Sequence, residues 1–231
     1  AGGAATACAN CHLREKFATP SHPFHTEGKP GSACVDCHMP TRDYMVVHAR
    51  HDHGFKVPRP DLKEKTGAPD ACSSCHADKP LSWSVDAYAR WWGAKSINQP
   101  HWSTTIAAGR ADPAAAGAAL AALIDDQRQP GIVRATAAGL VAGTDPQALG
   151  SLAGALSDPD PLVRDAAVRA LGEADPSIRA KLLPPLTQDP VRTVRIDAGR
   201  ALAGEPARRL DPPTARQAAD ALDEWRASQN V

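Results

Sequence analysis

Apolar residues along the 231-residue chain fall into two regimes. Up to about residue 80 they follow neither a helical nor a strand period. Pro20, Pro23, Pro30, Pro40, Pro58, Pro60, Pro69 and Pro80, with Gly28, Gly31, Gly54 and Gly67 between them, interrupt every short run. By itself such a segment reads as loop, too poor in apolar residues to bury a core of its own. From Ser82 the pattern changes. SWSVDAYARWWG predicts a helix closed by Gly93, with Trp83 and Tyr88, or Val85 and Trp92, along one face. The stretch AKSINQPHWST follows as a linker.

After Thr104 the chain acquires a beat. Asp112-Pro113, Gln129-Pro130, Asp145-Pro146, Asp160-Pro161, Asp175-Pro176 and Asp189-Pro190 recur at intervals of 14 to 17 residues. An Asp before a helix accepts hydrogen bonds from the first free backbone N–H groups, and Pro at the first helical position supplies a preset φ without losing a needed donor. The spacing predicts six helices in three pairs: 113–126 with 130–142, 146–157 with 161–172, and 176–187 with 190–203. The second members share a core, Ile132-Val133-Arg134, Leu162-Val163-Arg164 and Thr193-Val194-Arg195, with the arginines 30 and 31 residues apart. Such a repeat is an α-solenoid of the HEAT type. Ala137, Ala138, Ala166, Ala167, Ala198 and Ala201 let its helices approach closely, and a last amphipathic helix near 213–228, with Ala218, Leu222 and Trp225, caps the stack. The repeated arginines read as braces between repeats rather than as a ligand site. The expected fold is therefore mostly α, with a loop-rich domain over 1–103 and HEAT-like repeats with a C-terminal capping helix over 104–231.

Charge adds little, because 26 basic and 26 acidic residues balance and nothing points to a nucleic-acid partner. No apolar run approaches the roughly 18 residues of a membrane span. The first residues, AGGAATACANCH, lack the basic start and apolar stretch of a signal peptide.

The cysteines change the picture. All six lie in three identical motifs: Cys8-Ala-Asn-Cys11-His12, Cys34-Val-Asp-Cys37-His38 and Cys72-Ser-Ser-Cys75-His76. Cys-x-x-Cys-His is the attachment signature of haem c, in which two thiols bond the porphyrin edge and the adjacent histidine binds iron. Structural zinc pairs its Cys-x-x-Cys units into four-ligand sites, and three motifs do not pair off. A thioredoxin-type pair would occur once, beside a βαβ pattern that is absent here, and two-residue gaps make a poor disulfide framework. Three haems c are the expected cofactors. Their macrocycles would replace the missing core, with Phe17, Phe24, Tyr44, Phe55 and Trp83 as packing partners. Haem is attached covalently outside the cytoplasm, so a periplasmic or extracellular protein is expected, its signal peptide already removed.

The segments CVDCHMPTRDYMVV, HDHGFKVPRPDL, PDACSSCHADK and PGIVRATAAGLVA resemble the multihaem c-type cytochromes that join a haem domain to HEAT-like repeats. Further haem motifs upstream and tetratricopeptide repeats downstream are usual in that family, and this sequence contains neither. The resemblance implies extracytoplasmic electron transfer through bis-histidine haems. With His12, His38 and His76 as proximal ligands, it favours His22 and His25 of SHPFH and His53 of RHDHGF as distal ones, with His101 as the runner-up. His48 and His51 are expected to be exposed or hydrogen-bonding, and Asp52 to hold His53 in its ligating tautomer. Met39 follows a proximal histidine too closely to reach the far face of its own haem, which leaves Met45 as the less favoured methionine. Two imidazoles per iron imply low potentials.

Three function classes compete. Electron transfer is favoured, either as a monomeric shuttle or as a subunit of a polymeric haem wire in which copies of the chain contact one another. A haem redox enzyme of the nitrogen-oxide reductase type would need an open iron position. A scaffold would use the solenoid to dock a redox partner protein.

Overall fold

The structure is a computed structural model that describes residues 7–141 and 146–229. The chain divides into two units, Ala1–Pro100 and His101–Val231.

The first unit has little regular structure. It holds the short helices α1 (Arg14–Phe17), α2 (Cys34–His38) and α3 (Leu62–Thr66), a hairpin of β1 (Thr41–Tyr44) and β2 (His48–His51), and one longer helix, α4 (Leu81–Trp92). The strands pair antiparallel with Thr41 opposite His51 and Tyr44 opposite His48, and every strand residue is exposed. Gly93 ends α4 at a φ of 83°, as its sequence position predicts. Among residues 7–100 only Pro60, Leu62, Asp70, Ser84 and Ala87 are buried. Leu13, Met45, Val46, Val47, Phe55 and Val57 meanwhile remain 61% to 89% exposed. A polypeptide this short of buried apolar area does not offset the entropy of ordering its backbone.

The second unit is a mostly helical two-layer stack. Its helices are α5 (Trp102–Ala111), α6 (Gly117–Asp125), α7 (Gly131–Leu140), α8 (Pro146–Ala155), α9 (Pro161–Leu171), α10 (Pro176–Leu182), α11 (Arg192–Leu202) and α12 (Pro212–Ser228). Second members of the pairs stack in one row, α7 on α9 on α11, and α12 closes that row; α6 packs on α8 in the other. Between the rows lie Leu120, Ile124, Leu152, Val163, Leu171 and Leu202, all at 2% exposure or less. Gly199 lets α11 and α12 come together, because a Cβ there would sit 2.6 Å from the Leu222 backbone nitrogen.

Asp160 and Asp175 cap their helices as their Asp-Pro positions predict, accepting from Leu162 N at 2.9 Å and Ser177 N at 2.8 Å. Several boundaries differ from expectation; helices 130–142 and 146–157, for example, end at Leu140 and Ala155. Asp112 does accept from Ala114 N and Ala115 N, but it closes a turn, and regular helix starts only at Gly117. Helix 176–187 stops at Leu182 because Pro184 and Pro185 have no N–H to continue the ladder, so Pro184–Gln188 runs as a 3-10 turn. The expected helix 190–203 starts at Arg192. The Asp145 cap lies outside the described residues.

The repeated arginines form a ladder between successive repeats. Arg134 of α7 binds Asp158, Arg164 of α9 binds Asp189 through Nε at 2.7 Å, and Arg195 of α11 binds Glu224 of the capping helix at 2.8 Å. Each arginine also donates to a backbone carbonyl of the loop before its own helix: Gln129 O, Asp158 O and Asp189 O respectively. They are braces, and Glu224 gives the last one a partner on the cap.

Candidate functional site

Each Cys-x-x-Cys-His motif is a single helical turn. The N–H of His12 donates to Cys8 O and that of His76 to Cys72 O, both at 2.9 Å, while the second motif is α2 itself. One turn brings the histidine back over the first cysteine, which two thiols and an imidazole need if they are to address one edge and one face of a flat ring. The six cysteines form no disulfides with one another. The three motifs cluster with the second in the middle. Burial, with the Cys8 thiol beside it, pushes the Cys34 thiol up; burial, then Asp36 and the Cys75 thiol, push Cys37 up. Burial, then Asp70 and the Cys37 thiol, push Cys72 up to about 11. Asp70 orders the third turn by accepting from Ser73 N and Ser73 Oγ, and Lys63 Nζ meets its carboxylate at 3.0 Å.

Two of the three histidines that end a Cys-x-x-Cys-His turn lie beside a second imidazole. His22 and His38 have ring centroids 6.0 Å apart and planes within 11° of parallel. His25 and His76 are 6.1 Å apart with planes at 38°. Two imidazoles sharing one metal, each bonded at about 2.0 Å with ~1.1 Å from nitrogen to ring centre, have centroids roughly 6.2 Å apart. Ordinary aromatic contacts span the same range. The separation gains meaning from the partners, since in both pairs one ring belongs to a Cys-x-x-Cys-His turn and the other to Ser21-His22-Pro23-Phe24-His25.

Hydrogen bonds fix the tautomers in the sense a ligand needs. His25 Nδ1 donates to Pro23 O at 2.6 Å and His38 Nδ1 to Lys56 O at 2.8 Å, which leaves Nε2 with its lone pair. His53 Nδ1 is held in the same way by His51 O at 2.9 Å. Asp52, expected to hold His53, is engaged elsewhere: it accepts from Lys56 Nζ at 2.6 Å and from Gly54 N at 2.9 Å. Burial, then the nearby His38, lower the pKa of His22 and favour its neutral ring.

The remaining histidines are arranged differently. His12 is exposed, with Phe17 edge-on at 5.5 Å, and Phe17 in turn meets His22 at 5.3 Å. His53 is exposed beside Phe55. His48 and His51 are exposed on β2, where His51 Nδ1 bonds Met39 O at 2.8 Å. Met45 is 73% exposed at the hairpin tip. His101 caps α5, its Nδ1 accepting from Ser103 N at 3.2 Å, an arrangement that keeps the ring proton on Nε2. Trp83 lies 4.8 Å from His76, whereas Tyr44 sits under Arg50.

Sequence reading missed three supports of this site. Gly31 lies against the His25 ring, where a Cβ would approach Cδ2 to 2.6 Å. Lys56 O orients His38 from 18 residues away. Trp91 and Trp92 at the end of α4 pack on Phe24. Only the positions of Gly31 and of the paired tryptophans hinted at these roles.

The residues fit covalent haem on two counts. Imidazoles with centroids 6.0 and 6.1 Å apart lie beside Cys-x-x-Cys turns, and large apolar side chains stay exposed in a unit with almost no core of its own. Among the described residues no three His, Cys, Asp or Glu side chains converge as a metal cluster. No described helix is long and apolar enough to cross a membrane.

Residues 116–203 match the family described as HEAT repeats, so the second unit carries a HEAT-like region. HEAT repeats commonly mediate contacts between proteins through their extended surfaces. No curated protein and no solved structure matches the chain.

Proposed function

We propose that this chain is an extracytoplasmic electron-transfer protein holding three bis-histidine haems c. The observation that supports it most is the pairing of His22 with His38 and of His25 with His76 at 6.0 and 6.1 Å. Cys8 and Cys11, Cys34 and Cys37, and Cys72 and Cys75 would attach one haem each, with His12, His38 and His76 as proximal ligands. Bound there, haem supplies a one-electron iron couple at low potential. The protein's part is to hold the imidazoles and exclude water. Carbonyls of Pro23 and Lys56 fix the tautomers of His25 and His38. Phe17 spans the gap between His12 and His22, and Trp83 covers His76. His53 is the third distal ligand. Were histidines to fill both ligand positions of each iron, no iron would be open to a substrate, which favours electron transfer over haem catalysis. The electron partners are other redox proteins or further copies of this chain.

Mass spectrometry of the intact protein tests the proposal: three haem additions are expected, and a haem-free protein ends it. Cys75→Ala should lose stable attachment of the third haem and keep the other two. His53→Ala should move about one third of the haem into the high-spin state in the optical spectrum. An unchanged low-spin spectrum, with no neighbouring histidine recruited, removes His53 from the ligand set.

Partner docking by the repeats is a second reading, favoured by one observation. Ile132 and Leu162 occupy equivalent positions in successive repeats and are 62% and 53% exposed.

A further inference from the structure

His22 and His25 are only three residues apart, yet they serve different partners. What separates them is an aromatic stack. Phe24, between them in sequence, lies flat on Trp91 with centroids 4.5 Å apart and planes 3° from parallel. It meets Trp92 edge-on at 5.9 Å. The two tryptophans then diverge, as neighbours on a helix must. Trp92 packs edge-on against His22 at 5.5 Å, and Trp91 against His25 at 6.5 Å.

The backbone is bent to suit. Phe24 has a φ of 54°, a left-handed conformation that a bulky residue rarely adopts without outside support. The Phe24 N–H donates to Pro20 O at 3.1 Å and that of His22 to Thr19 O at 3.0 Å, so the turn is closed from behind. On its far side His25 meets Gly31, and its Nδ1 is tied to Pro23 O. The His25 ring is thus held by Trp91, by Gly31 and by its own loop. The His22 ring is held by Trp92 and Phe17. Phe24 is 36% exposed and Trp92 45% exposed, so neither is a core residue whose position is explained by burial.

We propose that Trp91, Phe24 and Trp92 are positioning residues, one clamp that sets the ring planes of the two distal imidazoles. Trp92 sets that of His22 opposite His38, Trp91 that of His25 opposite His76, and Phe24 locks both. The inference rests on the bis-histidine haem reading above. It adds that two of the three haems answer to the clamp and the third, at His12, does not.

Electron paramagnetic resonance of the oxidised, haem-loaded full chain reads the angle between axial imidazole planes haem by haem, and a redox titration follows the potentials. Trp92→Ala should alter one of three low-spin signals, Trp91→Ala a different one, and Phe24→Gly both of these together. Phe24→Gly is chosen because glycine tolerates the positive φ, so that only the ring is lost. The third signal should stay as in the parent, and all three haems should remain attached. Trp91→Phe and Trp92→Phe keep a ring in place and should restore the parental signals, including where an alanine variant loads too little haem to be measured. Parental spectra and potentials in all the variants, or equal changes at all three haems in each, would overturn the clamp. A parent protein without low-spin haem would instead reject the electron-transfer reading itself.

Discussion

Replacing Arg134 by alanine is expected to destabilise the repeat unit by about 3–5 kcal/mol, the usual cost of removing one partner from a buried ion pair. The Arg134 side chain is 5% exposed and that of Asp158 3% exposed. The guanidinium binds both carboxylate oxygens, with Nη2 to Oδ1 at 3.1 Å. Without it Asp158 keeps only Gln127 Nε2 at 3.2 Å and Asp160 N at 2.8 Å, too little to compensate a buried negative charge. The same change further along the ladder should cost less. The Arg164 and Asp189 side chains are 13% and 5% exposed, and those of Arg195 and Glu224 27% and 29%. The expected order of destabilisation is therefore Arg134→Ala, then Arg164→Ala, then Arg195→Ala, with the last near the 1 kcal/mol or less of solvent-exposed pairs. Urea unfolding of the full chain followed by far-ultraviolet circular dichroism checks it.

pH supplies an independent control. Although burial works to raise it, the pKa of Asp158 is held below the ordinary carboxylate value by Arg134, the Asp160 N–H and Gln127. A carboxyl lowered on folding contributes stability that is present above its unfolded pKa and lost as pH falls through the folded one. The parent should therefore lose this contribution below about pH 4. In Arg134→Ala, protonation relieves the unpaired carboxylate instead. The gap between the two proteins should narrow on acidification. A gap that stayed constant down to pH 3 would mean that lost packing, not charge, carries the effect.

The ladder was legible in the sequence because each arginine recurs in phase with its helix, and phase is what periodicity reports. Helix starts at Pro161 and Pro176 were legible for a local reason, since an Asp-Pro pair acts on N–H groups within three residues. The break at Pro184-Pro185 was equally local and was outweighed by the longer beat. The haem-side geometry is another matter. SHPFH holds His22 and His25, but nothing within those five residues says which imidazole each will lie beside. That choice depends on Trp91 and Trp92, nearly seventy residues downstream, and on a positive φ at Phe24 that the residue type argues against. Lys56 O and His51 O orient imidazoles through backbone atoms, which every residue possesses, so no side-chain pattern betrays them. Asp52 shows the converse error: the adjacent carboxylate looked like the orienting group for His53, but a lysine four residues on claimed it.

Gly31→Ala should displace the His25 ring and, if the proposed bis-histidine haems are bound, free one of the three irons from its distal ligand. Two separate costs arise there. Gly31 has a φ of 87°, where any residue with a Cβ is strained, and the new methyl would lie 2.6 Å from His25 Cδ2 and 2.8 Å from Nε2. Something must move, and the choices are few. The His25 ring is tied through Nδ1 to Pro23 O and meets Trp91 edge-on, so moving it strains or breaks those contacts. Gly28→Ala provides the matched control. Its φ is 75°, nearly the same strain, but nothing lies within 4 Å of its Cβ position. Both variants should lose a similar increment of stability, on the order of 1 kcal/mol for a Cβ forced to positive φ. Only Gly31→Ala should gain a carbon monoxide-binding, high-spin fraction near one third of the haem, because a reduced iron without its distal imidazole takes an external ligand. Parental spectra in both variants would mean that His25 does not ligate the iron bound by His76. A carbon monoxide-binding fraction in both would assign the effect to loop strain rather than to the imidazole against Gly31.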